Sequence, residues 1–95
     1  MGLTKNTIRL IAEFTSFSGT LDDPSNITLT IDEQNTGVSL KSLTITDIIR
    51  DSLGSYHYDY TVPKGVGNLI YEWSGTMDGS PIVNRGLISR EWLRL

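Results

Sequence analysis

Ninety-five residues with 38% hydrophobic and 20% charged side chains describe one ordinary globular domain, too short for a second core or a deep pocket. Eight Lys and Arg against eleven Asp and Glu give a net charge of -3. That argues against a nucleic-acid binder, which would gather a basic patch, whereas these cations are scattered apart from Arg85, Arg90 and Arg94. The chain has no cysteine, hence no disulfide framework and no thiolate metal site, and no apolar run approaches the roughly 18 residues of a membrane span.

The N-terminal residues Met1 to Lys5 lack the apolar stretch of a signal peptide. Asn6 stands where a myristoylation signal requires Ser or Thr, so synthesis in the cytoplasm without export by the usual routes is expected. Ile8, Leu10, Ala12 and Phe14 alternate with Arg9, Ile11, Glu13 and Thr15, which predicts a first strand over about residues 7–15. Ser16 to Asn26 carries Gly19, Asp22, Asp23, Pro24 and Ser25 and reads as a turn-rich connection. Ile27, Leu29 and Ile31 form the apolar parity of a second strand rich in β-branched residues, which suit a pleated, half-buried surface. A turn follows at Glu33 to Gly37, where Asn35 or Gly37 supplies a positive φ.

Val38 and Leu40 then hold one parity and Leu43 and Ile45 the other, a phase change near Lys41-Ser42 that predicts a bulge or a break. Ile48 and Ile49 predict a brief strand, with Arg50 to Gly54 as the next turn. From there Tyr56, Tyr58, Tyr60 and Val62 alternate with Ser55, His57, Asp59 and Thr61, a strand with one apolar and one polar face. After the loop Pro63 to Asn68, Leu69, Tyr71 and Trp73 repeat the pattern. Asp78-Gly79 is the strongest hairpin signal in the chain, because both positions of a type I′ turn need positive φ. The last strand is expected from near Ile82 towards Trp92. Leu87, Ile88, Trp92 and Leu95 would also share a helical face, but the segment is short and follows a hairpin directly. Short strands with turns every 8–12 residues predict an all-β, immunoglobulin-like antiparallel sandwich of about seven to eight strands, in a single domain over residues 1–95. With no linker-like sequence at either border, the chain reads as a complete, free-standing product.

The order of these pieces carries a resemblance. A strand ends in Phe14, and a Gly19-Thr-Leu-Asp-Asp-Pro24 loop leads to Ile27-Thr-Leu-Thr-Ile31. After a glycine turn come Asp51-Ser-Leu-Gly-Ser-Tyr-His-Tyr-Asp-Tyr60 and Leu69-Ile-Tyr-Glu-Trp-Ser-Gly-Thr-Met-Asp-Gly-Ser-Pro81. Over about residues 7–90 this resembles the small immunoglobulin-like domains of tailed-phage virion proteins, in which a Gly-x-Tyr strand precedes a Tyr-x-Trp-x-Gly strand and a closing hairpin. The resemblance implies a virion protein made in the host cytoplasm and present in many copies or as a homo-oligomer on a symmetric shell. Its partner would be the major capsid protein or another virion protein. A capsid decoration or cement protein is the expected role, with a neck or tail accessory protein, or a carbohydrate- or receptor-binding adhesion module, as alternatives. Ser89 to Leu95 departs from the family's simple closing strand.

No catalytic constellation is expected, and no cofactor. Phe14, Leu29, Tyr56, Tyr58, Tyr60, Tyr71 and Trp73 share the inward parity and are assigned to the core rather than to a glycan-stacking platform. Gly54-Ser55-Tyr56 resembles a tyrosine corner that ties down a loop. His57, the sole histidine, lies on the polar parity beside Asp59 and is expected to face solvent, with neither a nucleophile elbow nor zinc-ligand spacing near it. Asp22, Asp23, Asp32, Glu33, Asp47 and Asp51 fall near turns, where Asp is common for its own backbone bonding, and they lack calcium-loop spacing. Asn26-Ile27-Thr28 matches a glycosylation sequon by chance. The interaction candidate is the terminal segment: Leu87, Arg90, Trp92, Leu93, Arg94 and Leu95, with Ile11 and Ile70 as further out-of-phase apolar residues and Arg85 as a third cation for an acidic partner. A bulge or helical turn that swings these residues inward is the competing reading.

Overall fold

The computed structural model describes residues 7–63, 65 and 67–89. Seven strands run through them: β1 (Thr7–Glu13), β2 (Ser25–Glu33), β3 (Ser39–Thr44), β4 (Ile49–Ser52), β5 (Ser55–Thr61), β6 (Leu69–Met77) and β7 (Ser80–Ile88). They form two antiparallel sheets, β1-β5-β4 and β3-β2-β6-β7, consistent with a β-sandwich. Among the described residues there is no helix. The alternation read from the sequence sets the inner faces. Leu10, Ala12, Tyr56 and Tyr60 come from the smaller sheet, and Ile27, Leu29, Ile31, Leu43, Leu69, Trp73, Met77 and Ile88 from the larger. These residues form one core cluster, closed at one end by Phe14, whose ring meets that of Tyr56 edge-on at 5.9 Å.

Three local devices hold the strands in register. Asp78 and Gly79 sit at φ 52° and 81°, both positive as a type I′ turn demands, and β6 and β7 then pair without a break from Met77–Ser80 to Leu69–Ile88. The parity change in β3 is a bulge: Ile31 faces Lys41 and Asp32 faces Ser39, so Leu40 is the extra residue. It lies half-buried against the core. Gly37 takes the positive φ of the β2–β3 turn, and its N–H donates to the Glu33 carbonyl.

Two boundaries differ from expectation. Arg50, Asp51 and Ser52 belong to β4, not to a turn, because Ile49 and Arg50 pair with His57 and Tyr56. β1 ends at Glu13, since the Phe14 N–H turns to the Gly54 carbonyl. The expected continuation towards Trp92 lies outside the described residues.

Candidate functional site

The aromatic ladder is scaffold. Tyr56, Tyr60 and Trp73 are buried, as are Phe14 and Leu29, while Tyr58 and Tyr71 are half-buried against the same cluster. Tyr71 covers the backbone of its cross-strand partner Gly86, where a Cβ would collide with the ring. The glycine is therefore the complement of the tyrosine.

Tyr56 does more than fill space. Its hydroxyl donates to Asp23 Oδ1 at 2.8 Å, the Gly54 N–H donates to the same oxygen at 2.8 Å, and the Arg50 guanidinium reaches Oδ2 at 3.0 Å. One carboxylate thus fastens the connection after β1 to the β4–β5 turn, which is the loop-tying role expected of the Gly-x-Tyr element. Arg50 foremost, then the Gly54 N–H and the Tyr56 hydroxyl, hold the Asp23 carboxyl down at about 2, below its ordinary 3.8. Arg9 likewise lowers Asp59, which it grips through two bonds.

Both carboxylates are depressed in the folded state, so the unfolded chain binds more protons in acid. The Asp23 contribution is complete above about pH 4 and is lost as pH falls towards about 2, and that of Asp59 is likewise lost in acid. Melting temperatures across this window should decline for the parent protein. The decline should be visibly shallower for Asp23→Asn, which keeps an acceptor for Gly54 and Tyr56 but cannot titrate.

The expectation that His57 faces solvent is corrected. It is 6% exposed, and Nδ1 lies 2.8 Å from both oxygens of Asp51. Parity does place it on the outer face. However, β5 is the central strand of its sheet, and His57 stands between its register partners Ile11 and Ile49. Cross-strand neighbours at that spacing, with Asp51 above, cover an imidazole. The pair fixes the ring's orientation and offers no nucleophile.

The other carboxylates disperse. Asp47 accepts from the Thr44 N–H, Glu33 accepts from the Thr36 hydroxyl, and Glu72 holds Arg85 at 2.9 Å. Among the described residues no three His, Asp or Glu side chains are grouped as a metal ion would require. Arg85, named above as a cation for an acidic partner, is paired with Glu72 within the sheet while its side chain stays largely exposed.

On the strand faces what remains outward is aliphatic, while Phe17, in the connection after β1, is an exposed aromatic. Ile11 and Ile49 flank His57 on the three-stranded sheet, and Val83 and Leu87 stand on β7; all four are more than half exposed. Leu87 faces Ile70 across the ladder, and Ile70 is half-buried. The outer face of the larger sheet is polar towards β2, where Thr28 and Ser74 hydroxyls meet at 2.6 Å, and apolar towards β7. Of the expected terminal interface, Leu87 is exposed, while Arg90, Trp92, Leu93, Arg94 and Leu95 lie outside the described residues. An open cleft of about 230 Å³ runs between Glu13–Thr15 and Ile82–Asn84, beside the far edge of β7. The outward positions of Ile49 and Val83 were the signal missed in sequence: each sits on the polar parity of its strand.

Compared with protein-family models, with curated proteins and with solved structures, the chain matches none significantly.

Proposed function

We propose that this chain is a non-enzymatic structural protein of a tailed-phage virion, a decoration or cement protein that binds the assembled capsid shell in many symmetric copies. The observation that carries the reading is the division of its large apolar side chains. The aromatic ladder points inward, while Ile11, Ile49, Val83 and Leu87 point outward from both sheets. Aliphatic surface left open by folding is what a binding protein retains. The strand order supports the finer description as immunoglobulin-like. Lettered B, C, C′, D, E, F and G in chain order, the strands pair as B-E-D and C′-C-F-G, with each connection either a hairpin or a crossover as in that fold. The resemblance of the tyrosine and tryptophan strands to phage virion domains supports the setting.

In this role the protein's partner is the major capsid protein. A contact surface made of neighbouring capsid subunits exists only in the shell, so binding stabilises the assembled state by mass action, by about 2.7 kcal/mol per site at a free concentration of 100 Kd. Empty shells mixed with the protein should carry it down on sedimentation and melt at a higher temperature. No co-sedimentation and no rise would sink the cement role. Binding to isolated necks or tails instead would move the protein to an accessory position there. A glycan-binding module finds less support, because stacking needs exposed aromatics in a groove and Tyr56, Tyr60 and Trp73 are buried.

A further inference from the structure

The four sheet edges are unequally protected. β4 is four residues long with a shifted register, β3 is bulged at Leu40 and carries Lys41, and β1 carries Arg9 and Glu13. These are the ordinary devices that discourage strand pairing between molecules. β7 has fewer of them, with Pro81 near its start and one charge. It is nine residues long, is unbroken in register, and carries Arg85 as its single charge, already held by Glu72. Among the described residues no strand pairs with its far side.

The hairpin fixes which backbone groups face that side. In a two-residue turn the flanking pair, Met77 and Ser80, exchanges both hydrogen bonds, and the pattern then alternates. Ser80, Ile82, Asn84, Gly86 and Ile88 therefore bond to β6. The backbone groups of Pro81, Val83, Arg85 and Leu87 point away from it. Pro81, which has no N–H to offer, sits where its absence costs β6 nothing.

We infer that β7 pairs antiparallel with β7 of a second copy of this chain, across a two-fold axis at Asn84, joining two four-stranded sheets into one. An antiparallel pair of identical strands is self-complementary, and the side chains select the register. Centred on Asn84, Val83 exchanges both hydrogen bonds with the second copy's Arg85, and the Leu87 N–H meets the other Pro81 carbonyl. The exposed Leu87, already beside Ile70, gains Pro81 as an apolar neighbour on its other side. Centring on Arg85 would set two guanidinium groups opposite each other, which is unfavourable. Centring on Val83 would leave Leu87 facing Gly79. Asn84 lies on the inner parity but is exposed, because it borders the open cleft beside Glu13–Thr15. The two Asn84 side chains therefore have room to meet, and an amide pair of this kind pins register. An edge contact of this length is small for an interface, so the dimer forms reversibly with concentration.

The inference rests on the edge, not on the role proposed above. A dimer without shell binding, or shell binding by a monomeric variant, separates the two. Sedimentation equilibrium should give a mass rising towards twice that of the chain. Val83→Pro removes an N–H that faces the free edge and leaves the β6 ladder whole, so it should be monomeric with unchanged circular dichroism. The chain has no cysteine, so Asn84→Cys has only its own copy to react with. At a non-hydrogen-bonded antiparallel position the two Cα atoms lie about 4.5 Å apart, within disulfide reach. Its oxidation to a covalent dimer should run roughly tenfold faster than that of Leu87→Cys, whose copies are out of reach of each other. Equal oxidation rates overturn the pairing, as does a parent protein that stays monomeric or a folded Val83→Pro that still dimerises. If Val83→Pro fails to fold, the cysteine pair decides.

Discussion

Replacing Gly54 with alanine is expected to destabilise the protein by about 3 kcal/mol or more, a large share of the ~5–15 kcal/mol that holds a typical domain together. Two independent penalties add. Gly54 sits at φ 74°, where a side chain costs roughly 1–2 kcal/mol. The new Cβ would also lie 2.7 Å from the Phe14 carbonyl oxygen, 2.8 Å from the Asp22 nitrogen and 2.9 Å from the Asp22 oxygen. All three are backbone atoms of a segment that is itself bonded in place: Phe14 N–H to the Gly54 carbonyl at 2.8 Å, and Asp22 N–H to the Phe14 carbonyl at 3.0 Å. They cannot withdraw without breaking these bonds and the Asp23 contacts beside them. Gly79→Ala is the control. It has a similar φ of 81° and nothing within 4 Å, so it should cost only about 1 kcal/mol. Urea unfolding of the two variants separates strain from crowding. Equal losses would show that the segment around Phe14 and Asp22 yields freely.

The second large effect is at Trp73, fully buried opposite Leu29 in the middle of the larger sheet. Truncation to alanine should cost about 3–5 kcal/mol through lost burial and the cavity left behind. Trp73→Phe should be much milder, about 2 kcal/mol or less, for a reason peculiar to this site. The indole Nε1 has no hydrogen-bond partner among the described residues, so removing it relieves a buried, unsatisfied donor. If phenylalanine proves as damaging as alanine, the indole N–H is bonded in solution.

Much of the fold was legible because one physical rule, alternation about a pleated strand, does most of the sorting. It placed Tyr56, Tyr60, Leu29 and Trp73 inside, and Asp78-Gly79 announced its turn through the conformation those residues tolerate. What alternation assigns is a face, not a cover. His57 was therefore expected in solvent, while its burial depends on Ile11 and Ile49, contributed by two other strands. The Asp23 cluster was hidden for a related reason: its partners lie 27, 31 and 33 residues further along the chain. A turn aspartate bonding its own backbone has the same local sequence as one that anchors a distant arginine. Arg85 shows the same limit, since only the β6–β7 register brings Glu72 opposite it. The outward aliphatic residues were half legible. Ile11 and Leu87 stood out of phase, whereas Ile49 and Val83 needed the pairing to reveal their side.

The pairing order also governs how the chain must fold. The hairpins β2–β3, β4–β5 and β6–β7 join neighbours in sequence and can form early, yet each sheet is completed by joining distant partners. β1 pairs with β5, where Arg9 meets Asp59 across 50 residues, and β2 pairs with β6, where Thr28 meets Ser74 across 46. The two long closures overlap along the chain, so neither sheet can be finished from one half of the sequence. Such topology predicts slow, millisecond-to-second folding and a single cooperative transition. No fragment made by cutting the β3–β4 connection holds a complete sheet, and the two halves become stable only together.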